Sequence, residues 1–179
     1  GLEHLLSVAM PKEREHEIIR RLRLVGMPTT ACQMEVATEP LTWNGTRPVA
    51  ALHVGAQTPF KEWPLGHFVE LGRRLRRDGF DVVLTGNRHD YTRLRCAASK
   101  IEGSMIAMWP LRRLASFLKS ASLFITNDTG PMHIGIATGA PTVALFSPTD
   151  PALCGPLQAP HVTVVSKRPT CTPCLKQGC

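Results

Sequence analysis

The chain predicts an α/β fold, a doubly wound parallel sheet with helices on both faces. Two features of its 179 residues carry that expectation. From Pro48 onward, short apolar runs alternate with longer amphipathic stretches, the pattern of repeated strand–helix–strand units. The short runs, such as Ala50-Ala51-Leu52 and Val82-Val83-Leu84, are continuously apolar rather than alternating. Strands of that kind are buried on both faces, and right-handed crossovers then wind helices over each side. A hydrophobic content of 43% with 20% charged residues agrees with a globular chain.

In chain order, Lys12 to about Leu24 predicts a helix with Ile18, Ile19 and Leu22 on one side. Pro28 to Thr46 reads as linker, punctuated by Glu39-Pro40 and Asn44-Gly45. Residues 1–47 are thus a connecting helix and linker, and residues 48–179 one α/β domain. Val49–Val54 is the first strand, followed by a polar loop and a helix from Pro64 to about Arg77. On that helix Leu65, Phe68, Val69, Gly72 and Leu75 share a face, and Arg73, Arg74 and Arg77 point away from it. Phe80–Leu84 is the second strand, with a helix from about Asp90 to Lys100. Ser104–Met108 is the third, and Leu111, Leu114, Ala115 and Leu118 mark the next helix. The fourth strand reaches Thr126 and leads into a helix over Pro131 to Thr138; Pro141–Phe146 and His161–Ser166 complete the sheet.

Bulk properties exclude several classes. Lys plus Arg outnumber Asp plus Glu by 21 to 14, a net charge of +7, which favours anionic partners without choosing among them. Aromatic residues, at 6%, are too few for base-stacking platforms, and the arginines read as a solvated basic face, so no nucleic-acid partner is expected. No apolar run reaches the ~18–20 residues of a membrane span, and the opening Gly1–Leu6 segment lacks the features of a signal peptide. Six cysteines are too sparse for a disulfide scaffold, so a reducing cytoplasm is expected. Cys171, Cys174 and Cys179 form a C-x2-C-x4-C tail, but three ligands without a fourth do not predict a metal site. The Asn44 and Asn127 N-x-T sequences read as chance.

The chemistry concentrates in two loops. The run Thr126-Asn127-Asp128-Thr129-Gly130-Pro131-Met132-His133 joins a strand to a helix. The free amides and positive dipole end of such a turn suit a phosphate. Gly130 permits close approach of a ligand to the backbone and Pro131 is preset for the first turn. Asp128 or Thr129 can cap the helix, with His133 one turn in, facing the same mouth. If strand order reverses between the first and fourth strands, the loop after the first strand flanks the same crevice. That loop offers Gly55 for tight backbone approach, Gln57 and Thr58 as hydrogen-bonding groups, and Lys61 as a point charge for phosphate. Ser147-Pro148-Thr149-Asp150 opens on the same edge as a third wall. Neither a dinucleotide fingerprint nor a P-loop occurs.

These segments resemble glycosyltransferase family 9, the ADP-heptose:lipopolysaccharide heptosyltransferases. The match lies in His53–Gly55 with Lys61-Glu62-Trp63-Pro64, in Val83–Gly86, above all in Asn127–His133, and in Gly139–Pro151 with Cys171–Cys174. Ser147 stands where the family commonly has glycine, and Gly135-Ile136 where two alanines are usual. The resemblance implies a Rossmann-like domain, the C-terminal, donor-binding half of a GT-B glycosyltransferase. It also implies transfer of a sugar from an ADP-linked heptose to a lipopolysaccharide core acceptor, at the inner face of the cytoplasmic membrane, without a metal. Lys61 with Thr129 and Gly130 would hold the diphosphate, Asp128 and His133 would line the sugar-diphosphate site, and Lys61, Asp128 and His133 would be the catalytic residues. Gly55, Gln57, Thr58, Pro131, Met132 and Thr149 complete the expected donor contacts. The acceptor-activating base of the family lies in a first domain, so the chain by itself is expected to bind donor and transfer sugar poorly or not at all. The alternative is a stand-alone nucleotide-sugar-binding module without transferase activity.

Overall fold

A computed structural model describes residues 14–30, 34–41, 43 and 45–167; the cysteine tail and Asn44 lie outside them. Six parallel strands form one sheet in the order β3-β2-β1-β4-β5-β6. They are β1 (Val49–His53), β2 (Asp81–Thr85), β3 (Met105–Ala107), β4 (Leu123–Asn127), β5 (Thr142–Phe146) and β6 (Val162–Ser166). The helices are α1 (Glu17–Leu24), α2 (Leu65–Arg77), α3 (Tyr91–Ala98), α4 (Leu111–Ser120), α5 (Gly130–Thr138) and the short α6 (Pro151–Cys154). Strand order reverses between β1 and β4, which pair from Ala50↔Leu123 to His53↔Thr126. The expected fold class and switch point are both present.

The central strands are buried along their length in β1, and from Val82 and Phe124 onward in β2 and β4, as their apolar runs require. Their two faces feed different layers. Ala50, Leu52, Val82 and Leu84 pack with Phe68 and Val69 of α2 and Leu94 of α3. Ala51, Val83 and Phe124 pack with Leu114, Phe117 and Leu118 of α4. The edge strands differ from the expectation of burial on both faces: Met105 and Ile106 of β3 are exposed, as are residues 163–166 of β6. Each has one neighbour in the sheet, so much of its surface stays in water. Arg73, Arg74 and Arg77 are exposed on α2, opposite the face that buries Phe68, Val69, Gly72 and Leu75.

Local signals explain the helix ends. His16 caps α1 by accepting from Ile18 N at 3.2 Å, and Asp150 caps α6 by accepting from Ala152 N at 3.0 Å. Gly139, in the left-handed region at φ 73°, stops α5. The connecting segment is not detached: Met34 packs beside Met132 and Ile136, and Trp43 meets Phe117 edge-on at 5.4 Å. Cys96 and Cys154 are free thiols. Among the described residues no helix is long and apolar enough to cross a membrane.

Gly135 faces Phe124 of β4 and Thr142 of β5 across a tight contact. A β-carbon there would meet Phe124 Cδ1 at 2.7 Å and Thr142 Oγ1 at 3.0 Å. Overpacking costs about 1–3 kcal/mol, against a helix-propensity gain of about 1 kcal/mol. The Gly135→Ala variant is therefore expected to be less stable than the parent by urea denaturation, although alanine favours helix.

Candidate functional site

Parallel pairing sends the loops after β1 and β4 out of the same sheet edge, and their side chains meet there. The β1 loop tightens into a 3-10 turn at Pro59–Lys61, which carries Lys61 toward β4. Lys61 Nζ donates to Asp128 Oδ2 at 2.6 Å. The Thr149 hydroxyl, from the loop after β5, donates to the same oxygen at 2.6 Å. Asp128 and Thr149 are buried and Lys61 is partly exposed, so one carboxylate joins all three loops in a region of lowered dielectric. That one oxygen therefore accepts two short hydrogen bonds, one from the lysine and one from the threonine.

The expected site residues divide by environment. Thr129 precedes α5 in an extended conformation (φ −154°, ψ 168°). The Asp128 carboxylate serves Lys61 and Thr149, and no side chain caps the helix, correcting the capping expectation. Pro131 lacks an N–H and Met132 N donates to Thr129 O at 3.0 Å. Gly130, at the first helical position, has open space where a β-carbon would stand. Gln57 is exposed, and the Thr58 carbonyl accepts from Lys61 N at 3.1 Å.

Three further expected residues have distinct surroundings. Met132 is fully buried with Ile136, Ala144 and Phe146; its side chain is core and offers no ligand surface. The space beside Gly55 is taken by the buried carboxyl of Asp90, against which any β-carbon would clash. That glycine is thus explained by an internal contact, and Asp90 Oδ2 also accepts from Asn87 N at 2.8 Å. His133 is half-buried, on a cavity of about 280 Å³ lined with His16, Arg21, Met34 and Cys154, on the α1 side of the turn. Burial lowers its pKa below the ordinary imidazole value; Asp128 opposes this, and His16 and Lys61 reinforce it. The ring is therefore mainly neutral at neutral pH.

On the other side of the turn lies a largely apolar cavity of about 460 Å³, which the motifs singled out from sequence reach only at His53, Gly86 and Pro131. Met108, Trp109, Pro110 and Leu111 line it with His53 and Pro131. Its sequence signal is three apolar residues and a proline directly after an apolar strand, on the edge where ligands gather. Trp109 is fixed edge-on to Phe117 at 4.8 Å. His53 bonds Thr85 Oγ1 through Nδ1 at 3.1 Å. A smaller cavity of about 300 Å³ lies on the far side of Lys61, lined by Phe60, Trp63, Phe146, Ser147 and Lys167. Trp63 packs edge-on to Phe68 at 5.0 Å, as its place just before α2 predicts. Among the described residues no group of His, Cys, Asp or Glu could hold a metal ion.

A sequence profile described as Glycosyltransferase family 9 (heptosyltransferase) matches residues 19–179. The lipopolysaccharide heptosyltransferase 2 of Salmonella typhimurium is 30% identical over 123 residues, covering 64% of this chain and 35% of that protein. The lipopolysaccharide heptosyltransferase 1 of Pseudomonas aeruginosa is 33% identical over 121 residues, 66% of this chain and 34% of its own. Among solved structures, a glycosyl transferase family 9 protein from Veillonella parvula matches with a TM-score of 0.76 at 26% identity. That match covers 89% of this chain and 51% of the other. The E. coli ADP-heptose lps heptosyltransferase II shares the fold, with a TM-score of 0.62 at 22% identity over 88% of this chain and 44% of its own. The chain spans about a third of the length of these two curated relatives.

Burial lowers the His53 pKa from 6.5 to about 4, with Asp90 opposing the shift. As pH falls from 6.5 toward 4 the unfolded chain takes up this proton first, so stability is lost across that window, by up to about 3 kcal/mol from this residue. Urea midpoints should therefore fall between about pH 7 and about pH 4.5. The His53→Gln variant, neutral throughout, should show a shallower fall.

Proposed function

The chain belongs to glycosyltransferase family 9, and from that membership we propose that it forms the donor-binding half of a heptosyltransferase. In this reading it binds an ADP-linked heptose for transfer to a lipopolysaccharide core. The observation that carries the proposal is the meeting of Lys61 with Asp128 and the open Gly130 end of α5 at the switch point between β1 and β4.

A nucleoside diphosphate fits this edge in one sense. The diphosphate lies at the α5 tip, where the Thr129–Gly130 amides and the dipole favour negative charge, within reach of Lys61. The base enters the apolar cavity beside Trp109 and Met108, whose aromatic and thioether surfaces suit a flat heterocycle. His53, kept neutral by burial, adds a polar edge to that cavity without a competing charge. The sugar projects past Asp128 toward His133.

Transfer breaks the bond between the sugar's anomeric carbon and the β-phosphate oxygen, and negative charge grows on the departing diphosphate. Lys61 and the helix end neutralise that charge in a site prearranged for it, which lowers the barrier. In this reading no divalent cation takes that role. Deprotonation of the acceptor falls to the remainder of the enzyme, which the relatives' greater length accommodates. A lipid-anchored acceptor places the working enzyme at the inner face of the cytoplasmic membrane, where its net charge of +7 favours anionic headgroups.

Calorimetry with ADP and a panel of nucleotide sugars tests the reading. ADP-heptose is expected to bind, and Lys61→Ala to weaken ADP binding by about 10–100-fold through loss of a charge-assisted hydrogen bond. Arg74→Ala, on the exposed face of α2, should leave affinity within about twofold, and EDTA should leave it unchanged. Equal loss in both variants, or no nucleotide affinity in the parent chain, would overturn the assignment.

A further inference from the structure

We propose that Asn127 is a positioning residue: its side-chain amide clamps both ends of the loop that carries Lys61. The functional consequence rests on the diphosphate-binding role given to Lys61; the clamp itself does not. Asn127 is fully buried at the end of β4. Its Nδ2 donates to Gly55 O at 3.0 Å and to Val54 O at 3.4 Å, where the loop leaves β1. Its Oδ1 accepts from Trp63 N at 2.9 Å, where the loop enters α2. One planar amide therefore joins the start of the loop to its end and ties both to the strand across the switch point.

The chemistry of the three bonds selects asparagine. The site needs an acceptor for one N–H and a donor for backbone carbonyls, within the reach of a short side chain. Aspartate lacks the donor, glutamine is a methylene longer, and serine cannot span both ends. Because the group is sealed from water, these bonds face little competition. Val54 O has a second, long contact from Arg93 at 3.5 Å, whereas losing the bond to Gly55 O or from Trp63 N removes the side-chain partner of that backbone group. The clamp acts on Lys61 through two residues of chain. Trp63 N is fixed by Asn127, and Glu62 N and Lys61 N are bonded inside the 3-10 turn, to Pro59 O and Thr58 O, both at 3.1 Å. Glu62 is also held from α3 by Arg93 at 2.9 Å. Asp128, which receives the Lys61 ammonium, is the next residue after Asn127. A single dipeptide thus sets both the loop's path and the point at which its cation comes to rest.

The test combines three readouts on the whole chain. Amide hydrogen exchange of the unliganded parent should show Trp63 N–H protected at least about 100-fold more than the exposed Gln57 N–H. Acylation of Lys61 by a small amine-reactive ester, followed by mass spectrometry, should be about fivefold faster in Asn127→Ser or Asn127→Asp than in the parent. ADP affinity should fall about tenfold in Asn127→Ser, and much less when the same change is made in a Lys61→Ala background, since coupled residues are not additive. Trp63 N–H exchanging as fast as Gln57 N–H would overturn the clamp. So would a folded Asn127 variant with parental Lys61 acylation, or an affinity loss that persists in full without Lys61. If the serine variant does not fold, exchange in the parent and acylation in the aspartate variant still decide. If the parent binds no ADP, the donor-site reading fails while exchange and acylation still judge the clamp.

Discussion

The parallel hydrogen bonding of β1 to β4 is the constraint on which the rest of this molecule depends. Two strands far apart in sequence become neighbours with the same polarity, so the loops that leave them must emerge side by side. The helices that follow depart to opposite faces: α2 packs on the layer of Leu52 and Leu84, while α5 joins α4 and runs along the other face. A crevice opens where they part. Lys61, Asp128 and Thr149 come from loops after three different strands, yet meet at one carboxylate oxygen. Convergence of that kind is a property of topology before it is a property of any motif.

How much of this could be read from the chain alone follows from the same division. The central strands were legible because burial on both faces leaves a continuous apolar run, and the amphipathic face of α2 because its period is helical. The switch point followed from element order, and the meeting of Lys61 with the α5 turn followed from the switch point. Internal partnerships were less legible. Nothing in the local sequence says that Asp90 folds over Gly55 or that Asn127 bonds backbone at positions 54, 55 and 63; each contact joins segments far apart in the chain. Met132 is a further case: the residue stands inside the Asn127–His133 motif, and its side chain packs into the core with Ile136, Ala144 and Phe146.

Charge follows the same distinction between local and tertiary signals. The arginines of α2 make up much of the basic excess; Arg73, Arg74 and Arg77 are exposed, Arg74 pairing with Glu70 one turn away, and Arg76 is part-buried against Asp81. Exposed pairs of this kind add little to stability. The single lysine of the β1 loop is held against a buried acid. The number of cations in a segment was therefore a poor guide to where a cation meets a buried acid; position relative to the strand reversal was a better one.

That internal pairing bears on which anions the crevice can admit. An ammonium already satisfied by a carboxylate gains little from exchanging it for another single negative charge. A neighbouring pair of phosphates, reaching the amides of the α5 tip and the lysine together, offers more than the acid alone supplies. On the proposed diphosphate reading, Asp128 thereby competes with an incoming anion for the lysine and disfavours acetate-like and other singly charged solutes.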